Sequence, residues 1–289
     1  MTEAIMSSPL VSTSWLEKHL NDPDLRIVEL RGKVLPPTDP PPHYFTDRAG
    51  YEAGHIPEAA FVDWQVDIVE PGSPSNDVAP PERFAALMGD LGISDDTTVV
   101  IYDNAASMFA CRLRWALRYY GHSRVFVLDG GWDKWRAEGR PVSAAIPQFE
   151  RGGFEPRENA GLKATATEIL AGIKSGAMQL IDVRSPAEYA GQASRAAVGG
   201  HIPSAISLPR KTMVADDMTL KTPEALRECF AANGIALDAD ETVIYCNSGV
   251  SASFGMLALE VAGARNLRLY DGSWKEWGND PATPKETSV

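Results

Sequence analysis

The chain has 289 residues, of which 44% are hydrophobic and 23% charged, with a formal net charge of -12. That length exceeds what one core needs and suits two. So acidic a surface repels nucleic acid and anionic lipid, which excludes both as expected partners, and an anionic substrate would need a local field opposite to the global one.

Met1 to Trp15 shows no basic stretch followed by an apolar run, so no signal peptide is expected, and no apolar run is long enough to span a bilayer. Short apolar, β-branched runs predict strands at Arg26 to Leu30, Thr98 to Tyr102 and Val125 to Leu128, and again at Gln179 to Val183, Thr242 to Tyr245 and Leu267 to Tyr270. Helical periodicity predicts Trp15 to Leu20, Pro81 to Leu91 and Ala110 to Tyr120, then Thr165 to Lys174, Thr222 to Asn233 and Ser251 to Ala262. Ser12 or Thr13 and Thr222-Pro223 are N-cap signals. Strands alternating with helices imply a mainly parallel sheet with helices on both faces. Pro141 to Gly161 is periodicity-poor and reads as an extended connector; Asn279 to Val289 reads as a polar tail.

The sequence repeats itself once. Ile27-Val-Glu-Leu-Arg31 matches Leu180-Ile-Asp-Val-Arg184, and Gly54-His-Ile-Pro57 matches Gly200-His-Ile-Pro203. Thr98-Val-Val-Ile-Tyr102 matches Glu241-Thr-Val-Ile-Tyr245, and Leu128-Asp-Gly-Gly-Trp132 matches Tyr270-Asp-Gly-Ser-Trp274. The shared order implies two copies of one α/β domain. We expect residues 1–145 to form the first, 146–162 the linker and 163–289 the second.

Cys246 follows the Thr242 to Tyr245 strand and precedes a loop of small residues, Asn-Ser-Gly-Val-Ser, that turns into a helix. The carboxyl end of a parallel strand is where open α/β sheets bind ligands. A short loop entering a helix can turn its N–H groups inward, and with the helix dipole this favours thiolate over thiol. Gly249 permits a positive φ or close backbone approach. The matching position in the first half is Asp103, so one copy has the thiol and the other has lost it. Cys111 and Cys229 lie on apolar helical faces and read as packing residues. The cysteines are too dispersed for a disulfide framework, which fits a reducing, cytoplasmic location, and none has metal-ligand spacing. The Asp182/Arg184 and Glu29/Arg31 pairs read as strand-end ion pairs, and His55 and His201 as turn-ordering residues, because both halves carry them.

The duplicated Gly-His-Ile-Pro, the Asp-x-Arg after a strand, Cys246-Asn-Ser-Gly-Val-Ser251 and Tyr270-Asp-Gly-Ser-Trp-Lys-Glu-Trp277 resemble tandem-domain rhodaneses, over Val11 to Pro281. This family comprises thiosulfate and 3-mercaptopyruvate sulfurtransferases. The resemblance implies a silent first domain and a second domain in which Cys246 carries sulfur as a persulfide. The donor would be a small anionic sulfur compound and the acceptor a thiol, cyanide or a thioredoxin-like protein, with no cofactor or metal. Neutral Asn247 and Ser248 make the loop similar to that of the mercaptopyruvate enzymes, with thiosulfate as the alternative donor. By the same resemblance Ser248 moves protons, and Asp63 is a further catalytic residue. Asn247, Gly249, Val250 and Ser251 hold the substrate, and Arg195 holds its carboxylate, with Arg210 a further candidate. Two family positions are changed: a histidine falls near Asp77, and a second carboxylate-binding arginine falls on Ala190. A cysteine phosphatase would need an arginine six places after the cysteine, where Ala252 stands. A non-catalytic sulfur sensor or carrier remains as a rival that persulfide turnover would exclude.

Overall fold

Residues 8–288 are described by a computed structural model. The expectation about a signal peptide rests partly on residues 1–7, which lie outside the described residues, as does Val289. The first half runs β1 (Leu10–Val11), α1 (Thr13–His19), β2 (Leu25–Leu30), β3 (Gly32–Val34), β4 (Tyr44–Thr46), α2 (Arg48–Ala53), β5 (Ala59–Phe61), α3 (Pro81–Asp90), β6 (Thr98–Asp103), α4 (Met108–Tyr119), β7 (Val125–Leu128) and α5 (Gly131–Ala137). The second runs β8 (Lys163–Ala164), α6 (Ala166–Ser175), β9 (Gln179–Asp182), α7 (Pro186–Tyr189), β10 (Ile206–Ser207), α8 (Pro223–Ala232), β11 (Thr242–Tyr245), α9 (Val250–Ala262), β12 (Leu267–Tyr270) and α10 (Ser273–Trp277).

Each half builds a five-stranded parallel sheet of one topology, β1-β7-β6-β2-β5 and β8-β12-β11-β9-β10. The strands are apolar on both faces because both faces are covered. Val100 and Tyr102 face one core with Trp132 and Trp135, whereas Val99 and Ile101 face the other way, into a core shared by both halves. In that shared core Phe109, Leu113 and Leu117 of α4 are buried together with Phe254 and Leu257 of α9. Arg114 and Arg118 of α4 pair with Glu260 of α9, each at 2.9 Å.

The predicted helices and strands are present, with shifted ends: α4 starts at Met108 and α9 at Val250. Ser12 caps α1 by accepting from the Trp15 N–H, and Thr222 caps α8 with Pro223 behind it. Residues 138–159 contain no helix or strand and lie along the first half. Gly152 donates to the Gly89 carbonyl, and Arg157 and Asn159 donate to Tyr120 and Tyr119.

The polar-tail reading of Asn279 to Val289 is corrected. Glu286 exchanges backbone hydrogen bonds with His201, and the Pro284 carbonyl accepts the Trp277 indole N–H at 2.7 Å. Ser143 does the same for His55 in the first half. Polar composition gave no hint that the segment's backbone completes the Gly-His-Ile-Pro turn. The ribbon β3–β4 is antiparallel and belongs to the first half alone among the described residues; it reaches over toward the second half.

Candidate active site

Residue parity along β11 decides where Cys246 points. Val243 and Tyr245 face the second half's own core, and Ile244 faces the shared one. Side chains alternate, so Cys246 follows Ile244 toward the first half. It is only 3% exposed. It nevertheless lines a cavity of about 560 Å³ walled by both halves, with Tyr44, Trp64 and Met108 on one side and Arg195, Arg210 and Ser248 on the other. The sulfur is shielded from bulk water and open to a small molecule.

The loop after Cys246 is held from beneath. Gly249 has φ +74°, and a Cβ there would stand 2.6 Å from Arg112 Nη1 and 2.8 Å from Asp271 Oδ1, so only glycine fits. Those two atoms form a buried ion pair 2.6 Å long that joins the halves. Asp271 also accepts the Val78 N–H across the interface, and its first-half counterpart Asp129 accepts the Leu220 N–H in return.

Ser273 is a residue the sequence analysis passed over. Its hydroxyl accepts the N–H groups of Cys246 and Gly249, both at 3.2 Å, and donates to the Tyr270 carbonyl at 2.7 Å. It does so at φ +52°, a left-handed conformation that is strained for a non-glycine residue. The first half has Gly131 there, where a Cβ would meet the Asp103 carbonyl oxygen at 2.3 Å. The extra serine in Asp-Gly-Ser-Trp, set against Asp-Gly-Gly-Trp, was the available signal.

Asp103 shows what such a loop holds. Its carboxylate accepts the N–H groups of Ala105, Ser107, Phe109 and Ala110, at 2.7–2.9 Å. Burial pushes its carboxyl above the ordinary value, and the four donors act against that. The first half therefore carries its own anion inside a cradle of amides. In the second half the first turn of α9 has the same orphan donors. Among the described residues Asn247, Ser248, Val250, Ser251 and Ala252 donate their backbone N–H to no protein acceptor.

Ser248, Asn247, Val250, Ser251, Arg195 and Arg210 all line the cavity with Cys246. The Asn247 amide donates to Glu188 Oε1 at 2.8 Å, leaving its own Oδ1 without a partner. The Ser251 hydroxyl meets Met108 Sδ at 3.2 Å. Arg195 donates to the Leu35 carbonyl on the opposite half and lies 3.6 Å from Glu188, with Nη1 buried and unpaired. Arg210 donates to the Ala105 and Ala106 carbonyls at 3.2 and 3.4 Å, tying the two loops together.

Two expected residues stand differently. Gly249 contributes its conformation, since its N–H is taken by Ser273 and cannot reach a substrate. Asp63 is not brought to the cavity; its carboxylate accepts the Gln65 N–H at 2.9 Å, an Asx turn within its own loop. Asp77 is held by Ser73 and Ser75 at 2.6 and 2.7 Å, away from the sulfur's cavity. Cys111 is buried in the shared core, where burial pushes its thiol well above the ordinary value, and Cys229 is half-buried against the Thr212 carbonyl. The strand-end pairs are present: Arg184 chelates Asp182 and donates to the Gly200 carbonyl, and Arg31 repeats this with Glu29 and Gly54. His55 and His201 stack on Tyr51 and Tyr189, ordering their turns.

The chain matches the rhodanese-like domain family twice, over residues 12–138 and 165–280. It is 36% identical over 288 residues to the sulfur carrier protein TtuD of Thermus thermophilus, covering 95% of each chain. It is 35% identical to the thiosulfate sulfurtransferase of Corynebacterium glutamicum, covering 96% of this chain and 90% of that one. Among solved structures it is similar to SseA of Escherichia coli, described as a 3-mercaptopyruvate sulfotransferase of rhodanese fold. That similarity has a TM-score of 0.81 at 30% identity and covers 92% of this chain and 99% of that one. Two copies of one parallel sheet, a single cysteine at the matching loop and these likenesses agree: the chain is a member of the rhodanese-like family, with the family domain in tandem.

Proposed function

We propose that the protein is a sulfurtransferase that takes sulfane sulfur from 3-mercaptopyruvate, holds it as a Cys246 persulfide and passes it to a thiophilic acceptor. The observation that carries this reading is Cys246 on a cavity between the two halves whose lining also includes Arg184, Arg195 and Arg210. The Cys246 thiolate attacks the donor sulfur, the carbon–sulfur bond breaks, and its electron pair remains on carbon as the enolate of pyruvate. A proton, for which Ser248 is the adjacent hydroxyl, completes pyruvate. An acceptor thiolate or cyanide then attacks the outer sulfur and releases the Cys246 thiolate.

Donor choice follows from where charge sits. The sulfonate of thiosulfate is bonded directly to the transferred sulfur and suits a cation beside the cysteine. Here Asn247 is neutral and committed to Glu188, whereas Arg195 stands on the cavity wall. A carboxylate separated from sulfur by two carbons fits that arrangement. Among the described residues no helix is long and apolar enough to cross a membrane.

Incubation with each donor followed by mass spectrometry should show one added sulfur atom on Cys246, with a higher kcat/KM for mercaptopyruvate. No added sulfur from any donor would overturn the reading. Loading without turnover to thiols or cyanide would replace it with a carrier role.

A further inference from the structure

Two cations flank a tyrosine of the cavity wall, Arg195 on the wall itself and Lys275 behind the ring. The Arg195 guanidinium lies 5.2 Å from the centre of the Tyr44 ring, and the Lys275 ammonium lies 4.8 Å from the centre of the same ring. Tyr44 comes from the ribbon β4 of the silent half, and Lys275 from α10 of the other. Arg195 has one acidic neighbour, Glu188 at 3.6 Å, which it shares with Asn247. Among the described residues no carboxylate pairs with Lys275; its ammonium donates to Asn76 Oδ1 at 3.2 Å, and its backbone N–H to the Asn247 carbonyl.

Two further observations point to a ligand. The Arg195 side chain is 93% buried, being 7% exposed, and its Nη1 has no partner. The Tyr44 hydroxyl is likewise buried, with the Arg195 guanidinium as its polar neighbour and no acceptor at full hydrogen-bond geometry. A donor left unpaired away from water is unfavourable unless something fills its place. Two neighbouring cations, of which only Arg195 has a carboxylate beside it, repel one another, and an anion between them would relieve that. Burial and the Arg195 charge hold the Lys275 ammonium below the ordinary lysine range, as fits a cation with no counter-ion. Tyr44 and Arg195 line the same cavity as Cys246, and the Lys275 backbone N–H holds the carbonyl of Asn247, the residue after it, so this cluster adjoins the cysteine.

We propose that Tyr44, supplied by the silent half, and Lys275 join Arg195 in binding the anionic end of the sulfur donor. Arg195 Nη1 and the Tyr44 hydroxyl donate to it directly. Lys275 is a positioning residue that braces the Tyr44 ring and adds a second charge behind it. The silent half is then part of the substrate site rather than only a support. The identity of the donor rests on the function proposed above; the anion subsite does not.

The test uses alkylation of Cys246 in the full chain by iodoacetate and by iodoacetamide, which differ in charge and little in size. Lys275→Gln and Tyr44→Phe should each lower the iodoacetate-to-iodoacetamide rate ratio by about tenfold, the scale of one charge-assisted hydrogen bond. Lys275→Arg should restore it, and Lys174→Gln, an exposed charge on α6, should leave it unchanged. The mercaptopyruvate KM should rise by the same factor, with kcat and the acceptor KM near their original values. An unchanged ratio in both Lys275→Gln and Tyr44→Phe, with thermal melts showing both folded, overturns the subsite. A lowered ratio with an unmoved mercaptopyruvate KM upholds the subsite and overturns the donor assignment instead.

Discussion

Asp103 and Cys246 hold matching stations at the ends of β6 and β11, one a carboxylate clasped by four backbone N–H groups, the other a thiol opening on a cavity. The first is stabilised by what it fills and the second is useful for what it leaves open. Asp103→Ala should therefore destabilise the protein by about 3 kcal/mol, because buried N–H groups lose their acceptor. Cys246→Ser should cost under about 1 kcal/mol yet reduce sulfur transfer to background. Denaturant titration and persulfide loading measure the two effects; retained turnover in Cys246→Ser would refute the site.

Ser273 accepts strain to hold the loop. Replacing it separates hydroxyl from backbone. Ser273→Ala and Ser273→Gly should lose activity alike, by about tenfold or more, since both free the N–H groups of Cys246 and Gly249. The glycine variant should be the more stable of the pair by about 1 kcal/mol, because only it is relaxed at positive φ. In both, persulfide loading of Cys246 should slow by the same factor as turnover, because the loop loses the hydroxyl that ties its two ends together. Loading at the original rate would reduce Ser273 to a packing residue.

Ser248 faces the cavity beside the nucleophile. The enolate leaving from mercaptopyruvate needs a proton, whereas sulfite leaving from thiosulfate does not. Ser248→Ala should lower kcat/KM for mercaptopyruvate by about a hundredfold and for thiosulfate by much less. Equal losses, measured with the two donors side by side, would remove the proton role.

The halves are clamped in a pH-dependent way. Burial disfavours the Glu260 carboxylate, but the Arg114 and Arg118 guanidinium groups outweigh it and hold its carboxyl below the usual 4.5. A depressed folded value means the contribution is complete above that pH and is lost as pH falls through the depressed value. Burial also works against Arg118, so the net gain is small. Glu260→Gln should cost about 1–2 kcal/mol at neutral pH, and the difference from the unaltered protein should shrink below pH 4.5. A constant difference across that range would show that Glu260 is not ionised in the clamp.

The duplication and the parallel α/β architecture were legible in the chain itself, as was the cysteine-bearing loop between β11 and α9. Repeated motifs and two-sided apolar strands are local patterns, and Asp103 opposite Cys246 marks the station at which the two copies differ. Gly249 was legible for the same reason: its φ and its crowding are properties of a short loop. The three-residue β3 and β4 and the five-residue α10 were not, because neither alternation nor helical periodicity shows over so few residues without a continuous apolar run. Asp63 illustrates the opposite failure, a matching motif position whose side chain turns into its own loop.

What tertiary structure alone decided is who faces the sulfur. Tyr44 and Arg195 are 151 positions apart in the chain, and Arg112 and Asp271 are 159 apart, yet each pair meets across the interface. Sequence carries the propensities of single segments, whereas the cavity's charge and the loop's underside arise from packing α4 on α9. Burying those two faces together fixes the relative placement of the halves, and with it the chemistry of the space between them.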